Sequence, residues 1–349
     1  MMNTITIGNR KIGESYSCYI VAEMSANHGQ SFAQAVEIIH AAREAGADAV
    51  KIQTYTPDTI TMKSDGEPFR VKGTLWHGRT LYDLYAEAYT PWDWQPRLKE
   101  EAEKLGMALF SSPFDVTAVD FLETMHMPAY KVASFEIVDI PLLERLAAAG
   151  KPVIVSTGMA TLSEIDEAVR TLKQGGAKGV ALLKCTSAYP APPEEINLRS
   201  IPHLAQCFNV PVGISDHTLG IAVPVAAVAL GATIVEKHFT LSRNRPGPDS
   251  SFSLEPMEFR QMVDAIRVTE KACGEIGYEP SASEIPSRAF RRSLFVVEGV
   301  KAGDRFTQQN VRSIRPAHGL HPRYLREVLG RRAAVDIDKG TPLSWSLIA

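Results

Sequence analysis

The sequence lacks the features that mark membrane, secreted and nucleic-acid-binding proteins. No apolar run is long enough to span a bilayer, and no basic and apolar N-terminal segment resembles a signal peptide. The 349 residues carry a formal net charge of -3, which gives no reason to expect nucleic acid or an anionic membrane as a partner. Only four cysteines are present, none in a Cys-x-x-Cys pair, and Cys18 and Cys185 fall in predicted strands. We interpret these two as buried thiols of a reducing compartment and expect a cytoplasmic protein.

A glycine-rich phosphate loop is also missing after the first predicted strand, which disfavours a doubly wound nucleotide-binding sheet. The chain instead repeats a pattern of strand, loop and helix. Continuous β-branched or apolar runs are typical of strands buried on both faces, and they span residues 18–24, 49–55, 108–114, 129–134, 152–158, 180–186, 212–217 and 233–239. Eight such units in roughly 260 residues predict a (β/α)8 TIM barrel, an α/β fold, with the doubly wound sheet as the alternative.

Amphipathic stretches between these strands predict helices. They cover residues 31–45, 91–105, 142–149, 161–173 and 221–230, and a further helix ends near Cys273. Several are followed by glycine, a common residue just after the end of a helix. Thr161 and Glu164 have the Thr-x-x-Glu spacing of a capping box, which fixes the start of one helix.

The segment over residues 57–90, between the second strand and its helix, is unusually long. It contains Trp76, His77 and three tyrosines. Long loops in compact domains are often functional, so this segment is a candidate for contact with a ligand. An ordinary surface insertion is the alternative.

The pattern changes near residue 280. Residues 279–286 read Glu-Pro-Ser-Ala-Ser-Glu-Ile-Pro, a composition typical of a linker. Beyond about residue 290, short strands and turns occur without long helices. We therefore predict a barrel domain over residues 1–280, a linker over residues 281–289 and a separate small β-rich domain over residues 290–349.

Polar residues end all eight predicted strands, where a barrel keeps its active site. Lys51 and Lys131 are the most informative, because a buried ammonium is costly unless it is paired. Nearby serines make a phosphate or carboxylate the expected partner. A salt bridge to Glu23 or Glu236 inside the barrel is the alternative for either lysine.

The last two strands end in Ser215-Asp216-His217 and Glu236-Lys237-His238. Histidines at the ends of neighbouring parallel strands can point at one ion. Two imidazoles with open coordination suit Mn²⁺, Fe²⁺, Co²⁺ or Zn²⁺ in a weak, exchangeable site. Core histidines that bond to the backbone are the alternative.

Eight motifs in this order resemble those of the sialic-acid synthase family, and together they cover nearly the whole chain. They are AEMSANH at 22–28, KxQ at 51–53, KVAS at 131–134, STGM at 156–159, CTSAYP at 185–190, GISDHT at 213–218, EKH at 236–238 and GPD at 247–249. Arg315-Pro316 and Gly319-Leu320 resemble the antifreeze-like (SAF) domain of that family.

The resemblance implies condensation of phosphoenolpyruvate with an N-acylated amino sugar, giving a nine-carbon 2-keto acid and phosphate. It implies a divalent cation, most commonly Mn²⁺ with Mg²⁺ or Co²⁺ as alternatives. It also implies a domain-swapped homodimer in which the small domain of one subunit caps the barrel of the other.

Site residues carry over by position, as implications of the resemblance. The catalytic residues are Glu23, Lys51 and His217, and the metal ligands are His217 and His238. The phosphoenolpyruvate site comprises Lys51, Lys131, Ser134, Ser156, Ser187 and Ser215. The sugar site comprises Gln53, Glu136, Tyr189, Asp249 and, from the neighbouring subunit, Arg315. Ser187 departs from the family pattern, since the sialic-acid enzymes have an asparagine at this place.

Within the family, residues 89–94, 114–122 and 247–256 look most like the pseudaminic acid branch. The sugar would then be 2,4-diacetamido-2,4,6-trideoxy-L-altrose. Trp92 and Trp94 either cover its extra acetamido and methyl groups or pack in the core. N-acetylneuraminate or legionaminate synthesis is the alternative. Two further alternatives are a Schiff-base aldolase that uses Lys51 or Lys131, and a non-catalytic sugar-binding protein.

Overall fold

The computed structural model describes residues 4–245 and 247–349. The chain divides into two compact units, Met1–Gly274 and Glu275–Ala349. Among the described residues, none of the helices combines the length and hydrophobicity that a bilayer crossing needs.

The first unit begins with an antiparallel hairpin of β1 (Ile5–Ile7) and β2 (Arg10–Ile12). Eight parallel strands then form a closed barrel in which the last strand pairs with the first. The strands are β3 (Tyr19–Glu23), β4 (Ala49–Thr54), β5 (Ala108–Pro113), β6 (Tyr130–Val132), β7 (Pro152–Ser156), β8 (Gly179–Cys185), β9 (Val212–Asp216) and β10 (Ile234–His238). The predicted barrel is confirmed, and the doubly wound alternative is excluded because the sheet closes on itself.

Each of these strands is followed by one or more helices. They are α1 (Phe32–Glu44), α2 (Pro57–Ile60), α3 (Leu81–Ala88), α4 (Gln95–Lys104), α5 (Val116–Thr124), α6 (Ile140–Ala148), α7 (Leu162–Gln174), α8 (Ser200–Phe208), α9 (Ala222–Ala229) and α10 (Pro256–Cys273). The predicted capping box is present, because Thr161 and Glu164 bond reciprocally at the start of α7. The predicted helix over 91–105 instead starts with a 3-10 turn, Trp92–Trp94, before α4.

Four of these helices, α2, α3, α5 and α8, were not predicted. For α5 a signal was available, since the Asp115 side chain accepts from the backbone of Thr117 and Ala118 as an N-cap. The start of α8 has no side-chain cap, and Arg199 occupies that position. Its start therefore depends on packing rather than on a local motif.

The interior of the barrel is filled at its amino-terminal end. Ile5, Ile7 and Ile12 of the hairpin join one buried cluster with Tyr19 and Phe110 of the strands. Burying each isoleucine stabilises the fold by about 1.5–3 kcal/mol. The hairpin therefore covers this end of the barrel, and the polar strand ends lie at the opposite end.

The second unit is small and β-rich. It contains the antiparallel strands β11 (Ser293–Val296) and β12 (Val311–Ile314) and one short helix, α11 (Leu325–Val328). Its own apolar core includes Leu294, Val296, Phe306 and Val328. The structure therefore has the C-terminal β-rich domain that the sequence predicts.

Candidate active site

A cavity of about 460 Å³ lies at the carboxyl ends of the barrel strands. Its volume suits a small-molecule site. Of the predicted residues it brings together Glu23, Lys51, Gln53, Lys131, Ser134, Glu136, Ser156, Tyr189, Ser215, His217, His238 and Asp249. A second cavity, of about 580 Å³, lies beside Arg10, Asp48 and His126 and holds none of the predicted site residues. We therefore assign the candidate active site to the cavity at the carboxyl ends, where the reactive side chains converge.

In-register pairing of the strands sets the height of the charged groups along the barrel axis. Glu23 pairs with Lys51 on one side and with His238 on the other. Glu236 pairs with Ser215. Residues paired in register on neighbouring strands point to the same face, so these side chains meet inside the barrel.

Two lysines and two glutamates form a buried ionic cluster on the floor of the cavity. Lys51 Nζ lies 3.1 Å from Glu23 Oε2 and 3.1 Å from Glu236 Oε1. Lys131 Nζ lies 3.9 Å from Glu236 Oε1 and donates to Ser156 Oγ at 2.6 Å. The alternative of an internal salt bridge is therefore present in the structure, and an incoming anion would compete with the glutamates for both lysines.

The two lysines differ in their electrostatics. Burial lowers the pKa of Lys131 to about 8, with Glu236 opposing and the Lys51 charge adding to the shift. Burial acts on Lys51 too, but Glu23 and Glu236 raise its pKa above the ordinary value. Burial also raises the pKa of Glu23, against the effect of Lys51. Lys51 is thus held charged, whereas Lys131 is the more readily deprotonated.

Hydroxyl groups surround this cluster. Ser215 Oγ donates to Glu236 Oε1 at 3.2 Å, and Ser134 Oγ accepts from the Gly158 amide at 3.2 Å. A Cβ at Gly158 would lie 2.6 Å from Ser134 Oγ and 2.2 Å from Ser187 Oγ, so a larger residue there would displace both hydroxyls. Ser187 lies next to the cavity-lining residues but is not one of them.

The two histidines face each other at the ends of β9 and β10. Their ring centroids are 5.3 Å apart. His217 Nδ1 bonds to the Thr186 carbonyl at 3.0 Å, which leaves Nε2 for a ligand. His238 Nδ1 is buried and, among the described residues, has no hydrogen-bond partner. Burial also holds the pKa of His238 well below its ordinary value, so its ring is neutral, as a metal ligand must be.

These observations fit a divalent ion held by only two protein side chains. In residues 4–245 and 247–349, no three His, Cys, Asp or Glu side chains are grouped closely enough to form a metal site. Water and substrate oxygens would have to complete the coordination, as in an open catalytic site.

Polar groups that suit a sugar lie beside the ionic cluster. Gln53 Nε2 donates to Glu23 Oε1 and to Ser25 Oγ, each at 2.9 Å. The Ser25 hydroxyl in turn bonds to Asp249. Burial raises the pKa of Glu136 to about 7, and among the described residues its Oε2 has no hydrogen-bond partner. These amide and carboxyl groups offer donors and acceptors for hydroxyl and acetamido groups.

Some strand-end residues point away from the cavity. Lys237 is fully buried and pairs with Asp216 and the Thr218 carbonyl. Successive strand residues alternate between faces, so Lys237 faces outward when Glu236 and His238 face inward. His28 is also outside the cavity; it bonds to Thr90 at 3.2 Å.

Trp92 and Trp94 do not lie where the sugar-contact hypothesis places them. Trp92 donates to the Tyr55 carbonyl at 3.1 Å and stacks on Phe121, while Trp94 packs against His28. Both side chains are half-buried and neither lines the cavity; Trp94 packs against the apolar core, as the second alternative expects. Trp76, from the long segment, lines the cavity instead and donates to the Pro248 carbonyl at 3.0 Å.

One glutamate and one cysteine that line the cavity were not among the predicted site residues, although the sequence carried a signal for each. Glu236 lies two positions before His238, so a strand period of two places both on one face. Cys185 ends β8 and lies 3.9 Å from His217 Nδ1. Arg315 follows β12 in the second unit, and its role stays a prediction.

Comparison with known proteins gives consistent matches. The model of the NeuB family matches residues 38–278, and that of the SAF domain matches residues 291–349. The chain is 45% identical to pseudaminic acid synthase of Campylobacter jejuni strain 81-176, over 94% of this chain and 96% of that protein. It is 44% identical to the Helicobacter pylori pseudaminic acid synthase, over 93% and 96%. The crystal structure of N-acetylneuraminic acid synthetase from Leptospira borgpetersenii superposes with a TM-score of 0.74 at 34% identity, covering 82% of this chain and 95% of that one.

Proposed function

Because the chain belongs to the NeuB family and is a sialic-acid-type synthase, we propose that it condenses phosphoenolpyruvate with 2,4-diacetamido-2,4,6-trideoxy-L-altrose. The products are pseudaminic acid and phosphate. The observation that carries the proposal is the buried pair Lys51 and Lys131 beside the histidine pair at one end of the barrel. The choice of sugar is supported by the two pseudaminic acid synthases, which are more similar to this chain than the N-acetylneuraminic acid synthetase is.

Phosphoenolpyruvate binds on the floor of the cavity. Its phosphate and carboxylate pair with the lysine ammonium groups, whose charge Glu23 and Glu236 balance in the absence of substrate. Ser134, Ser156 and Ser215 supply hydroxyl donors, with Ser187 behind them. Fixed donors in a site that excludes water bind anions strongly and need no reorganisation during the reaction.

His217 and His238 hold the divalent ion, Mn²⁺ in our proposal with Mg²⁺ or Co²⁺ as alternatives. When bound there, the ion supplies Lewis-acid polarisation of the sugar aldehyde. The hydrogen bond from His217 Nδ1 to the Thr186 carbonyl fixes the ring so that Nε2 faces the cavity.

The bond changes take place between the cluster and the sugar site. C3 of phosphoenolpyruvate attacks the aldehyde carbon, and water adds to C2 as positive character develops there. The tetrahedral intermediate then expels phosphate with cleavage of the C–O bond. Glu23, whose pKa is raised by burial, handles the proton of the aldehyde oxygen or the attacking water. Gln53 orients the Glu23 carboxylate through its 2.9 Å hydrogen bond.

The sugar lies against Gln53, Glu136, Tyr189 and Asp249. We propose a cytoplasmic homodimer in which Arg315 of one subunit reaches the sugar amide in the barrel of the other. The small domain over residues 290–349, joined by a linker over residues 281–289, is the part that carries this arginine.

One observation favours a second activity. A lysine with a pKa of about 8, Lys131, is suited to form a Schiff base. A pyruvate aldolase of this kind would be trapped covalently by borohydride in the presence of pyruvate. A sugar-binding protein without activity would release no phosphate from any mixture.

The test is a panel of phosphate-release assays. Phosphoenolpyruvate is combined with the trideoxy altrose, with N-acetylmannosamine and with the legionaminate precursor sugar. The proposal expects the highest kcat/KM with the trideoxy altrose. A higher kcat/KM with either other sugar would make that sugar the substrate. Borohydride trapping without phosphate release would show that the protein is an aldolase and not a synthase.

A further inference from the structure

The long segment between β4 and α4 contains a stretch that is bonded mainly to itself. Residues 61–80, which we call the flap, form a loop that backbone hydrogen bonds close. The Val71 amide donates to the Arg79 carbonyl, and the Gly78 amide donates to the Val71 carbonyl, each at 2.9 Å. None of residues 61–80, all of which the structure describes, is buried. A movement of the flap relative to the barrel would therefore leave its internal bonds intact and uncover no core.

Trp76 joins the flap to the opposite side of the cavity. Its Nε1 donates to the Pro248 carbonyl, beyond the end of β10, at 3.0 Å. In the described ranges 4–245 and 247–349, this is the one hydrogen bond between the flap and a residue outside 57–90. The indole ring also contacts the Tyr189 ring, with 5.6 Å between the centroids. The polar attachment of the flap across the cavity therefore depends on a single side chain.

Both partners of Trp76 belong to the candidate active site. The centroid of the Tyr189 ring lies 4.4 Å from that of His217. Pro248 immediately precedes Asp249, a buried residue of the proposed sugar site. Trp76, Tyr189 and Pro248 all line the cavity. A shift of the indole would thus remove a contact from a ring beside the histidine pair and from the backbone next to a sugar-site carboxylate.

From these contacts we propose that Trp76 is a positioning residue, which holds Tyr189 and the Pro248–Asp249 backbone in place when the flap closes over the bound sugar. The inference rests on the proposed function. The sugar enters while the flap is open, and the two contacts of Trp76 form as the flap closes. Closure excludes water from the floor of the cavity, where the aldehyde is attacked.

The two substrates should respond differently to a change at Trp76. Phosphoenolpyruvate binds through Lys51 and Lys131, whose ion pairs are with strand residues and not with the flap. The sugar lies against Tyr189 and Asp249. Loss of the indole should therefore raise KM for the sugar and lower kcat, while KM for phosphoenolpyruvate stays close to the wild-type value.

The kinetic test compares three variants with wild type. Trp76→Ala removes the ring and the donor, Trp76→Phe keeps a ring without the donor, and Leu75→Ala is the control. Leu75 lies on the flap, is 54% exposed and does not line the cavity. We expect Trp76→Ala to lower kcat/KM for the sugar by about 10- to 100-fold, because small displacements of positioned groups have effects of this size. Trp76→Phe, which loses one hydrogen bond, should lower it by about 5-fold, and the control should match wild type.

A fluorescence measurement tests closure of the flap directly. The alditol of the sugar, whose aldehyde is reduced, is added with phosphoenolpyruvate so that no reaction follows. Acrylamide quenching of the tryptophan emission should decrease on this addition. The decrease should be absent in Trp76→Phe, because the other three tryptophans do not line the cavity.

Wild-type kinetics in Trp76→Phe and Trp76→Ala, or equal increases in both KM values, would overturn the inference and leave the proposed function standing. Protection from acrylamide that persists in Trp76→Phe, or that does not occur in wild type, would overturn it as well. If Trp76→Ala fails to fold, as circular dichroism would show, the kinetics of Trp76→Phe decide. No phosphate release by wild type with any sugar would overturn the proposed function and this inference with it.

Discussion

Lys51 Nζ lies 3.1 Å from Glu236 Oε1, with both side chains buried at the carboxyl end of the barrel. Glu23 lies on the other side of the same ammonium. The positive charge of Lys51 thus offsets the repulsion between two buried carboxylates. The site is therefore charge-balanced before any anion binds. This arrangement makes Lys51 a residue for stability and for the proposed reaction alike.

Replacing Lys51 by methionine should therefore destabilise the protein as well as inactivate it. Glu23 and Glu236 would face each other without their shared cation, and breaking a buried ion pair costs about 3–5 kcal/mol. Urea unfolding measures the loss. The matched control is Lys104→Met, which removes a surface pair between Lys104, 65% exposed, and Glu101, and should leave stability nearly unchanged. Equal effects of the two changes would contradict the role given to Lys51.

Chelation should abolish turnover, and Mn²⁺ or Co²⁺ should restore it. The expectation follows from two imidazoles 5.3 Å apart with no third protein ligand in the described part of the chain. His217→Ala and His238→Ala should each reduce kcat/KM by about 100-fold or more with far smaller effects on stability. His203→Ala, on the exposed side of α8, is the control and should retain activity. Full activity in chelator would rule the metal out.

The reaction should break the bond between C2 of phosphoenolpyruvate and the bridging oxygen, not the bond between that oxygen and phosphorus. In the proposed reaction water attacks C2, so the bridging oxygen of phosphoenolpyruvate leaves with the phosphate. Phosphoenolpyruvate labelled with ¹⁸O at the bridge should transfer the label to phosphate, as mass spectrometry of the products would show. Label found in the keto acid instead would mean attack at phosphorus.

Stability should depend on pH through Glu136. Its pKa is about 7 in the folded chain and 4.5 ordinarily, so folding favours the protonated carboxyl. The contribution is complete below about pH 4.5 and is lost as the pH rises through 7, with a total of about 1–3 kcal/mol. Glu136→Gln should remove this dependence and be more stable than wild type at pH 8, measured by urea unfolding at pH 5 and 8. Glu144→Gln, an exposed position on α6, should follow the wild-type profile, and an unchanged slope in Glu136→Gln would refute the assignment.

Subunit exchange should reveal whether Arg315 acts on the neighbouring barrel. His217→Ala and Arg315→Ala are each inactive in our proposal. Random mixing makes about half of the dimers mixed, and each mixed dimer has one site without either defect. Activity should recover to roughly a quarter of wild type. Continued inactivity despite proven exchange would show that Arg315 acts within its own chain.

The sequence by itself determined the barrel, because this information is local. Continuous apolar runs mark buried parallel strands, and Thr161 with Glu164 marks the start of α7. The order of strands in a closed barrel follows their order in the chain, so the strand-end residues could be expected at one mouth. The histidine pair and both lysines of the floor were predicted in this way.

Only the tertiary structure decided which of these side chains meet, and across what distances. Register and strand alternation turned Glu236 inward and Lys237 outward, although the two are neighbours in the chain. The long segment supplied Trp76 to the cavity, while Trp92 stacks on Phe121 outside it. Such choices depend on contacts between residues far apart in sequence, such as Trp76 with Pro248. A local sequence pattern contains no information about such long-range contacts. The residues that form the walls of the cavity could therefore be identified only from the tertiary structure.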